Sequence, residues 1–190
     1  MEEFLLFFIS VFVFFVIINK VYKKGDIISI KSEVDGQVYI VRKLPDAKKA
    51  ANKLAEINRK VLRLIRILDT SKEGVQDLID NYNPRTLSET LPGSEYTSYS
   101  VNKGEKISIC IRSSKDESFI EDNTILFVVL HELAHVMTEE VGHTPLFWSN
   151  MKYLLEEGKN AGIYSPVDYR KNPVDYCGME INTTPYEFGK

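Results

Sequence analysis

Cysteine is scarce in this chain, because Cys110 and Cys177 are the only two among 190 residues. Two cysteines are too few for a disulfide-rich scaffold, and their separation does not match the paired spacing of a zinc ribbon. A reduced, cytosol-like compartment is the simpler expectation, with a single bridge between the two residues as the alternative. Internal repeats and low-complexity tracts are also absent after the first 24 residues. One globular domain over residues 25–190 is therefore sufficient.

The chain also lacks a strong net charge, since its formal value is −3. The charges are unevenly distributed, with nine Lys or Arg and two acids in residues 42–66, and nine acids and one Lys in residues 116–157. The basic stretch is compatible with a nucleic-acid or anionic lipid surface, but a solvated helix face is the simpler interpretation. No basic tail is present, so nucleic acid is not expected as a partner.

One long apolar run is present, and it covers residues 4–18 with the sequence FLLFFISVFVFFVII. A helix over this run is about 22 Å long, and extension to residue 22 gives about 28 Å, close to a hydrocarbon core of about 30 Å. Lysines follow the run, so the positive-inside rule directs the main domain to the cytosol. A cleaved signal peptide is the alternative, but the run has no basic residue before it and no A-x-A-like site after it.

These features predict a single-pass membrane protein. Residues 1–24 form the anchor and its basic flank, with membrane contact through residues 4–22, and residues 25–190 form a domain that faces the cytosol. In a viral protein the membrane is that of the host cell or the virion.

The pattern of the remaining chain indicates an α+β domain. Residues 26–44 alternate apolar and polar positions around Asp35-Gly36, which predicts a β-hairpin with a tight turn. Pro45-Asp46 opens a helix with an apolar stripe in which Asn58 is the polar exception. About three heptads are too few to favour a coiled coil over a helix packed on a sheet. Further along, we expect a short helix in residues 71–82, a loop in 83–94 and two short strands in 96–112.

Histidine is confined to one segment, residues 128–148, which read VVLHELAHVMTEEVGHTPLFW. His131, His135 and His143 are the only histidines in the chain. The run from residue 125 to residue 137 is apolar on nearly every face, which predicts a buried helix. Polar side chains in such a helix are costly without partners, so the histidines need a ligand or a hydrogen-bonding network.

The spacing of His131 and His135 suits a shared metal ion. Residues i and i+4 lie on one helical face with Cβ atoms about 5–6 Å apart, which allows two imidazoles to bind one Zn²⁺ at about 2.0–2.1 Å. Glu132 lies beside such a metal rather than on it and can take a proton from water activated there, as in the H-E-x-x-H pattern. A chance match in a buried helix is the alternative interpretation.

His143 is the expected third ligand. Gly142 can turn the chain after the helix, and Thr144-Pro145 is typical of the cap and first turn of a new helix. Three protein ligands and one open position are typical of catalytic zinc, whereas structural sites fill all four positions. Glu139, Glu140 or a downstream acid are the alternatives for the third ligand.

The motif HELAH followed by GHTPLFW resembles the zinc peptidases of the WLM and SprT-like families over residues 125–150. It is similar also to small membrane-anchored metallopeptidase-like proteins of large DNA viruses. The resemblance implies a zincin-like fold with a small twisted sheet, a backing helix and an active-site helix. It implies one zinc ion per chain, with His131, His135 and His143 as its ligands. It also implies that Glu132 is the base and that Phe147 or Trp148 supports the third ligand. A metzincin is excluded, because it needs Gly at Thr138 and His at Val141.

Two further groups of residues are weaker candidates. In zinc peptidases of this general kind, an edge strand beside the cleft pairs with an extended substrate, and the strand with Ile107, Ile109 and Ile111 is the candidate. An ordinary sheet strand is the alternative. Tyr169 and Tyr176 are candidates for stabilising the oxyanion, although a core or surface role is the default in a chain with ten tyrosines.

The sequence therefore predicts a membrane-anchored, zinc-dependent metallopeptidase that acts on an unknown protein or peptide substrate. One alternative is a catalytically inactive, zinc-stabilised membrane or virion interaction protein, but Glu132 argues against it because a structural site does not need that residue. Another is a non-peptidase zinc amide hydrolase. Deformylases use the same motif with a cysteine as third ligand, so Cys110 is a candidate ligand in that case.

Overall fold

The computed structural model describes residues 26–91 and 93–188, and it has the mixed α+β architecture that the sequence predicts. The helices and strands in chain order are β1 (Ile27–Lys31), β2 (Val38–Arg42), α1 (Ala47–Ile65), α2 (Val75–Asn81), β3 (Ser88–Glu89), β4 (Tyr99–Val101), a 3₁₀ turn (Asn102–Gly104), β5 (Lys106–Ile109), α3 (Asp122–Met137), α4 (Pro145–Asn160), β6 (Val174–Tyr176) and β7 (Met179–Ile181).

The predicted localisation is corrected by the structure. Within residues 26–91 and 93–188, no helix is both long enough and apolar enough to cross a membrane. The localisation as a single-pass membrane protein with a cytosolic domain is therefore not retained. The apolar run of residues 4–18, on which that prediction rested, lies outside the described residues together with the whole of residues 1–24.

The β1–β2 hairpin packs on α1 and confirms the first part of the predicted fold. Its strands are antiparallel, with Ile28 opposite Val41. The turn contains Gly36 at a φ of 75°, a conformation that glycine adopts without strain. Tyr39 and Val41 are buried in the core. Helix α1 begins at Ala47, directly after the predicted Pro45-Asp46 start, and its apolar stripe faces the hairpin.

Asn58, the polar exception in the stripe of α1, is fully buried. Its amide nitrogen donates to Tyr39 Oη at 2.9 Å and to the carbonyl of Pro84 at 3.0 Å. Its amide oxygen accepts from Tyr82 at 2.8 Å. These bonds offset the cost of burying the amide, and they connect α1 with the hairpin and with the end of α2.

A three-stranded sheet with the order β3-β5-β4 lies beside this layer. Residues 83–94, predicted as loop, contain β3, whose Ser88 lies opposite Ser108 of β5 in a parallel pair. Since β5 is the central strand, the prediction of a free edge at Ile107, Ile109 and Ile111 is corrected. These three side chains are buried in the core, and β4 forms the sheet edge instead.

The C-terminal hairpin β6–β7 is joined to the sheet by a disulfide. Cys177, at the turn of the hairpin, is bonded to Cys110, which follows β5. The expectation of reduced cysteines is therefore corrected, and the bridge that the sequence left as an alternative is present. Since Cys110 is bonded to Cys177, it has no thiolate to offer a metal, which removes the deformylase-like ligand set.

Arg112 lies at the centre of a buried ionic cluster with Glu89 and Asp46, here called the Arg112 cluster. Its Nε donates to Glu89 at 2.8 Å, and its terminal nitrogens donate to Asp46 at 2.7 and 2.8 Å. The side chains of Arg112 and Glu89 are 2% and 1% exposed. The cluster joins the start of α1 to β3, and the guanidinium of Arg112 holds the pKa of Asp46 below its usual value.

Candidate metal centre

Helix α3 carries two of the three histidines and is otherwise buried. Between Thr124 and Met137, His131 and His135 are the two residues that are not fully buried. Their rings lie one helical turn apart, with centroids separated by 4.9 Å. The helix therefore presents its two imidazoles to a cleft and packs almost all its other side chains into the core.

The third histidine reaches the same place from the loop that follows α3. Gly142 has a φ of 91°, in the left-handed region that glycine adopts readily. Nε2 of His143 lies 3.1 Å from Nε2 of His131, and the ring centroids of His143 and His135 are 5.0 Å apart. The structure therefore brings together the three histidines that the sequence singled out.

Residues at the start of α4 pack against the three histidines. Thr144 caps the helix as predicted, with its hydroxyl accepting from the backbone N–H of Phe147 at 3.3 Å. The Phe147 ring is fully buried, and its centroid lies 4.3, 4.9 and 4.7 Å from the rings of His135, His131 and His143. The cap therefore fixes the residue on which all three imidazoles pack.

The three histidines fit one zinc ion. Each offers a ring nitrogen, and the three nitrogens lie within 4.8 Å of one another. Two nitrogens on one tetrahedral zinc, each at about 2.0–2.1 Å from it, are about 3.3 Å apart, close to the 3.1 Å between His131 and His143. A set of imidazoles suits zinc better than calcium or magnesium, which prefer oxygen. Three ligands leave the open position that a catalytic zinc site requires.

The histidines on α3 are kept in the form that binds metals. Burial is the main cause that lowers the pKa of His131 to about 3, with smaller contributions from His135 and His143. Burial likewise lowers the pKa of His135 to about 4, with His143 and Lys103 contributing. Both rings are therefore neutral at physiological pH, with a lone pair free for a metal.

Glu132 lies beside the cluster and not among the converging nitrogens. Its side chain lines the cleft, although the residue is only 6% exposed. Burial raises the pKa of Glu132 to about 7, and a hydrogen bond from the backbone N–H of Ser100 acts in the opposite direction. A carboxyl group with a pKa near 7 can both accept and return a proton at neutral pH, which suits a general base.

The free edge of the sheet borders this site. Tyr99 and Ser100 of β4 line the same cleft as the histidines, and β4 packs against α3. The cleft between them has a volume of about 990 Å³. Its other walls are residues 140–143 and residues 179–183. The edge strand beside the cleft is therefore β4, and not β5 as the sequence predicted.

Neither candidate for the oxyanion role reaches the cleft. Tyr176 is fully buried, and its hydroxyl donates to the carbonyl of Cys110 at 2.7 Å and contacts Ser98 Oγ at 2.8 Å. Tyr169 is 1% exposed and packs its ring on Phe127, with centroids 4.6 Å apart. Both hydroxyls are thus directed into the core, which corrects the prediction for Tyr169 and Tyr176.

The structure also shows where the alternative candidates for the third ligand lie. Glu139 and Glu140 are exposed in the loop after α3, and neither belongs to the converging group.

Two residues that hold the end of α3 carry no signal in the sequence. Lys103 donates through Nζ to the carbonyl of Thr138 at 2.9 Å and also to that of Glu139. Asn150, fully buried in α4, donates to the hydroxyl of Thr138 at 3.0 Å. These partners come from separate elements, so the contacts depend on the tertiary fold. They fix the point at which the chain leaves α3 towards His143.

Together, the α+β fold, the buried helix with two histidines and the third histidine before the next helix form a domain with a candidate metal centre. The chain belongs to the WLM family, since the model of the WLM domain matches residues 33–172. The family resemblance inferred from the motif is thereby confirmed for WLM.

The chain is also similar to viral proteins and to a solved structure. Protein R325 of Acanthamoeba polyphaga mimivirus is 34% identical over 170 residues, which cover 84% of this chain and 84% of that protein. Protein 042R of Invertebrate iridescent virus 3 is 40% identical over 83 residues, covering 43% of this chain and 50% of that protein. The crystal structure of Wss1 from Saccharomyces cerevisiae is similar with a TM-score of 0.51 at 25% identity, covering 64% of this chain and 89% of that chain.

Proposed function

We propose that this protein is a zinc-dependent metallopeptidase that hydrolyses protein or peptide bonds. The observation that carries the proposal is the convergence of three imidazole nitrogens within 4.8 Å, with buried Glu132 beside them, in a chain of the WLM family. His131, His135 and His143 would hold the zinc ion, which would act as a Lewis acid on the scissile carbonyl and make the attacking water more acidic.

The residues around the cluster have distinct roles in this proposal. Glu132 takes the proton of the attacking water and later returns it to the leaving amine, a double role that its pKa near 7 suits. The N–H of Ser100 orients the Glu132 carboxylate. Phe147 keeps the imidazoles from turning, since its buried ring contacts all three. An extended substrate pairs with the free edge of β4, a recurrent mode of peptide binding.

The replacement of Glu132 by glutamine tests this function. Glutamine keeps the size and polarity of the side chain but cannot accept the proton. With the zinc-loaded full-length chain and an unfolded protein as substrate, hydrolysis should fall by about 10²–10⁴-fold. Zinc content and the unfolding midpoint should stay at wild-type values. A matched control is Glu139→Gln, which removes an exposed acid from the loop after α3.

Two outcomes would contradict the proposal. One is a Glu132→Gln variant that matches the wild type in hydrolysis. The other is a wild-type chain that unfolds on zinc removal yet cleaves no polypeptide, which would identify the cluster as a purely structural zinc site.

A further inference from the structure

Three separate segments at the mouth of the cleft share one local pattern. Each has a glutamate directly beside a large apolar residue in sequence, and each of these residues lines the cleft. The pairs are Glu95-Tyr96 before β4, Glu140-Val141 after α3, and Met179-Glu180 in β7. The apolar members are unusually exposed, at 59% for Tyr96, 95% for Val141 and 49% for Met179.

The apolar members form part of a larger apolar surface around the histidines. Trp148, at 38% exposure, lines the same cleft and lies 5.5 Å from the His143 ring. Exposed large apolar side chains that cluster at one cleft mark a binding surface, whereas isolated ones are ordinary. The occupant of the cleft therefore needs at least one large apolar side chain.

The glutamates give the mouth of the cleft a negative charge. Among the described residues that line it, Lys103 is the one cation, and its ammonium group is directed at the carbonyls of Thr138 and Glu139. Glu95, Glu140 and Glu180 are exposed. None of the ion pairs in the described part of the chain includes their carboxylates. Charge complementarity therefore favours a cationic occupant.

We propose that the cleft selects extended polypeptide segments in which a large apolar residue is flanked by lysine or arginine. This inference rests on the proposed peptidase function and adds a substrate class to it. A strand paired with β4 directs successive side chains to opposite faces, so one side chain can enter the apolar surface while its neighbours reach the glutamates at the rim. The acid–apolar pairs on three sides of the cleft are complementary to a peptide segment of this kind.

The three carboxylates at the rim oppose the entry of a polyanion at the mouth of the cleft, although Lys103 deeper in the cleft acts in the opposite direction. A nucleic acid brings its phosphates against three carboxylates at this mouth, and like charges at close range oppose binding. An oligonucleotide is therefore not expected to compete with the peptide.

The test uses labelled twelve-residue peptides and the zinc-loaded full-length chain. The peptides share one central leucine-phenylalanine pair and differ in the flanking residues, which are lysine, glutamine or glutamate. The lysine peptide should have a kcat/KM about tenfold above the glutamate peptide, as three partly exposed charges allow. The difference should lie mainly in KM and should shrink at 1 M salt, where the Debye length is about 3 Å. Replacing the central pair by alanine should lower kcat/KM about tenfold.

Two triple variants, each of which removes three negative charges, test whether the preference for lysine peptides comes from the glutamates at the rim of the cleft. The triple variant Glu95→Gln, Glu140→Gln, Glu180→Gln should bring the lysine-to-glutamate ratio close to one. The control triple variant Asp26→Asn, Glu73→Gln, Asp77→Asn makes the same change in net charge at exposed positions away from the cleft, and it should keep the wild-type ratio.

A binding measurement separates this inference from the proposed function. Fluorescence anisotropy of the same peptides on zinc-loaded Glu132→Gln reports charge preference without turnover. If no peptide is cleaved by the wild type but the lysine peptide binds more tightly, the peptidase function fails and the charge preference stands. Equal binding of lysine and glutamate peptides, an equal loss of preference in both triple variants, or competition by a single-stranded oligonucleotide would each overturn the inference.

Discussion

The Arg112 cluster and the three histidines are two groups of titratable side chains. They differ in how completely their hydrogen-bonding atoms are paired. In the Arg112 cluster, one cation meets two carboxylates, and Arg112 also donates to the carbonyl of Glu117 at 3.1 Å. The Phe119 ring covers the guanidinium, with its centroid 4.2 Å from Cζ. In the histidine group, the bases face one another, and within residues 26–91 and 93–188 their hydrogen bonding is one contact between His143 and His131.

This difference distinguishes a structural cluster from a functional one. The Arg112 cluster is complete without any external group, so it stabilises the connection of α1 with β3. Apart from the contact between His143 and His131, the ring nitrogens of the histidine group have no hydrogen-bond partner in the described part of the chain. The low pKa of His131 and His135 keeps these rings unprotonated. In the function proposed above, a metal ion would complete the group. Three predictions test whether the two groups differ in this way.

The largest effect on stability is expected at the Arg112 cluster. Arg112→Met leaves Glu89 buried and unpaired, so the free energy of unfolding in urea should fall by about 3–5 kcal/mol. The double variant Arg112→Met, Glu89→Leu should be more stable than that single variant, because a fully apolar replacement leaves no uncompensated charge. It should still bind one zinc ion per chain. Additive losses in the double variant would show that the cluster is not a coupled unit.

A smaller effect is expected at the histidine group, and it depends on zinc. At a free zinc concentration about 100 times the dissociation constant, zinc should raise the free energy of unfolding by about 2.7 kcal/mol. His131→Ala should abolish this gain, His143→Ala should strongly weaken it, and the Arg112→Met, Glu89→Leu variant should retain it. Full zinc occupancy of His143→Ala, measured by metal analysis, would remove His143 from the site.

A further change is expected from pH in the zinc-free protein. The pKa values of His131 and His135 are lowered from 6.5, so the unfolded chain takes up protons first, and stability is lost as pH falls from about 6.5 towards 3–4. Glu132 partly offsets this, since its pKa is raised from 4.5 to about 7 and the folded chain binds that proton more readily.

Within the Arg112 cluster, Asp46 has a lower pH window, whereas burial raises the pKa of Glu89 above its ordinary value. Since the pKa of Asp46 is lowered from 3.8, its contribution is present above that pH and is lost as pH falls further. Urea unfolding at a series of pH values measures both windows. His131→Asn, His135→Asn should flatten the curve between pH 4 and 6.5. Asp46→Asn should lower stability above about pH 4 and flatten the curve below that pH. Coincident windows in the two variants would contradict the comparison.

The parts of the fold that sequence could predict are those set by neighbouring residues. The alternation around Gly36 specifies the hairpin, Thr144 caps α4, and the spacing of His131 and His135 needs only the geometry of one helix. His143 was also accessible to sequence, because a glycine turn and a helix start surround it on either side.

The parts that sequence could not predict depend on contacts between distant segments. β3 has two residues, and its existence depends on a parallel partner in β5. The choice of edge strand is a property of the whole sheet, so a pattern of alternating isoleucines cannot distinguish a central strand from an edge. The hydroxyl of Tyr176 finds its acceptor at the carbonyl of Cys110, 66 positions away. Tyrosine content alone does not reveal that partner.

The bridge between Cys110 and Cys177 closes a covalent ring, since its two ends are 67 positions apart and α3 and α4 lie between them. All three histidines and Glu132 are inside the ring, and so is the loop whose Val141 is 95% exposed. The exposure of Val141 makes that loop an accessible target for a protease. One cut there leaves both histidine-bearing segments tethered through the sulfur atoms, so the nicked molecule separates into two fragments only after reduction.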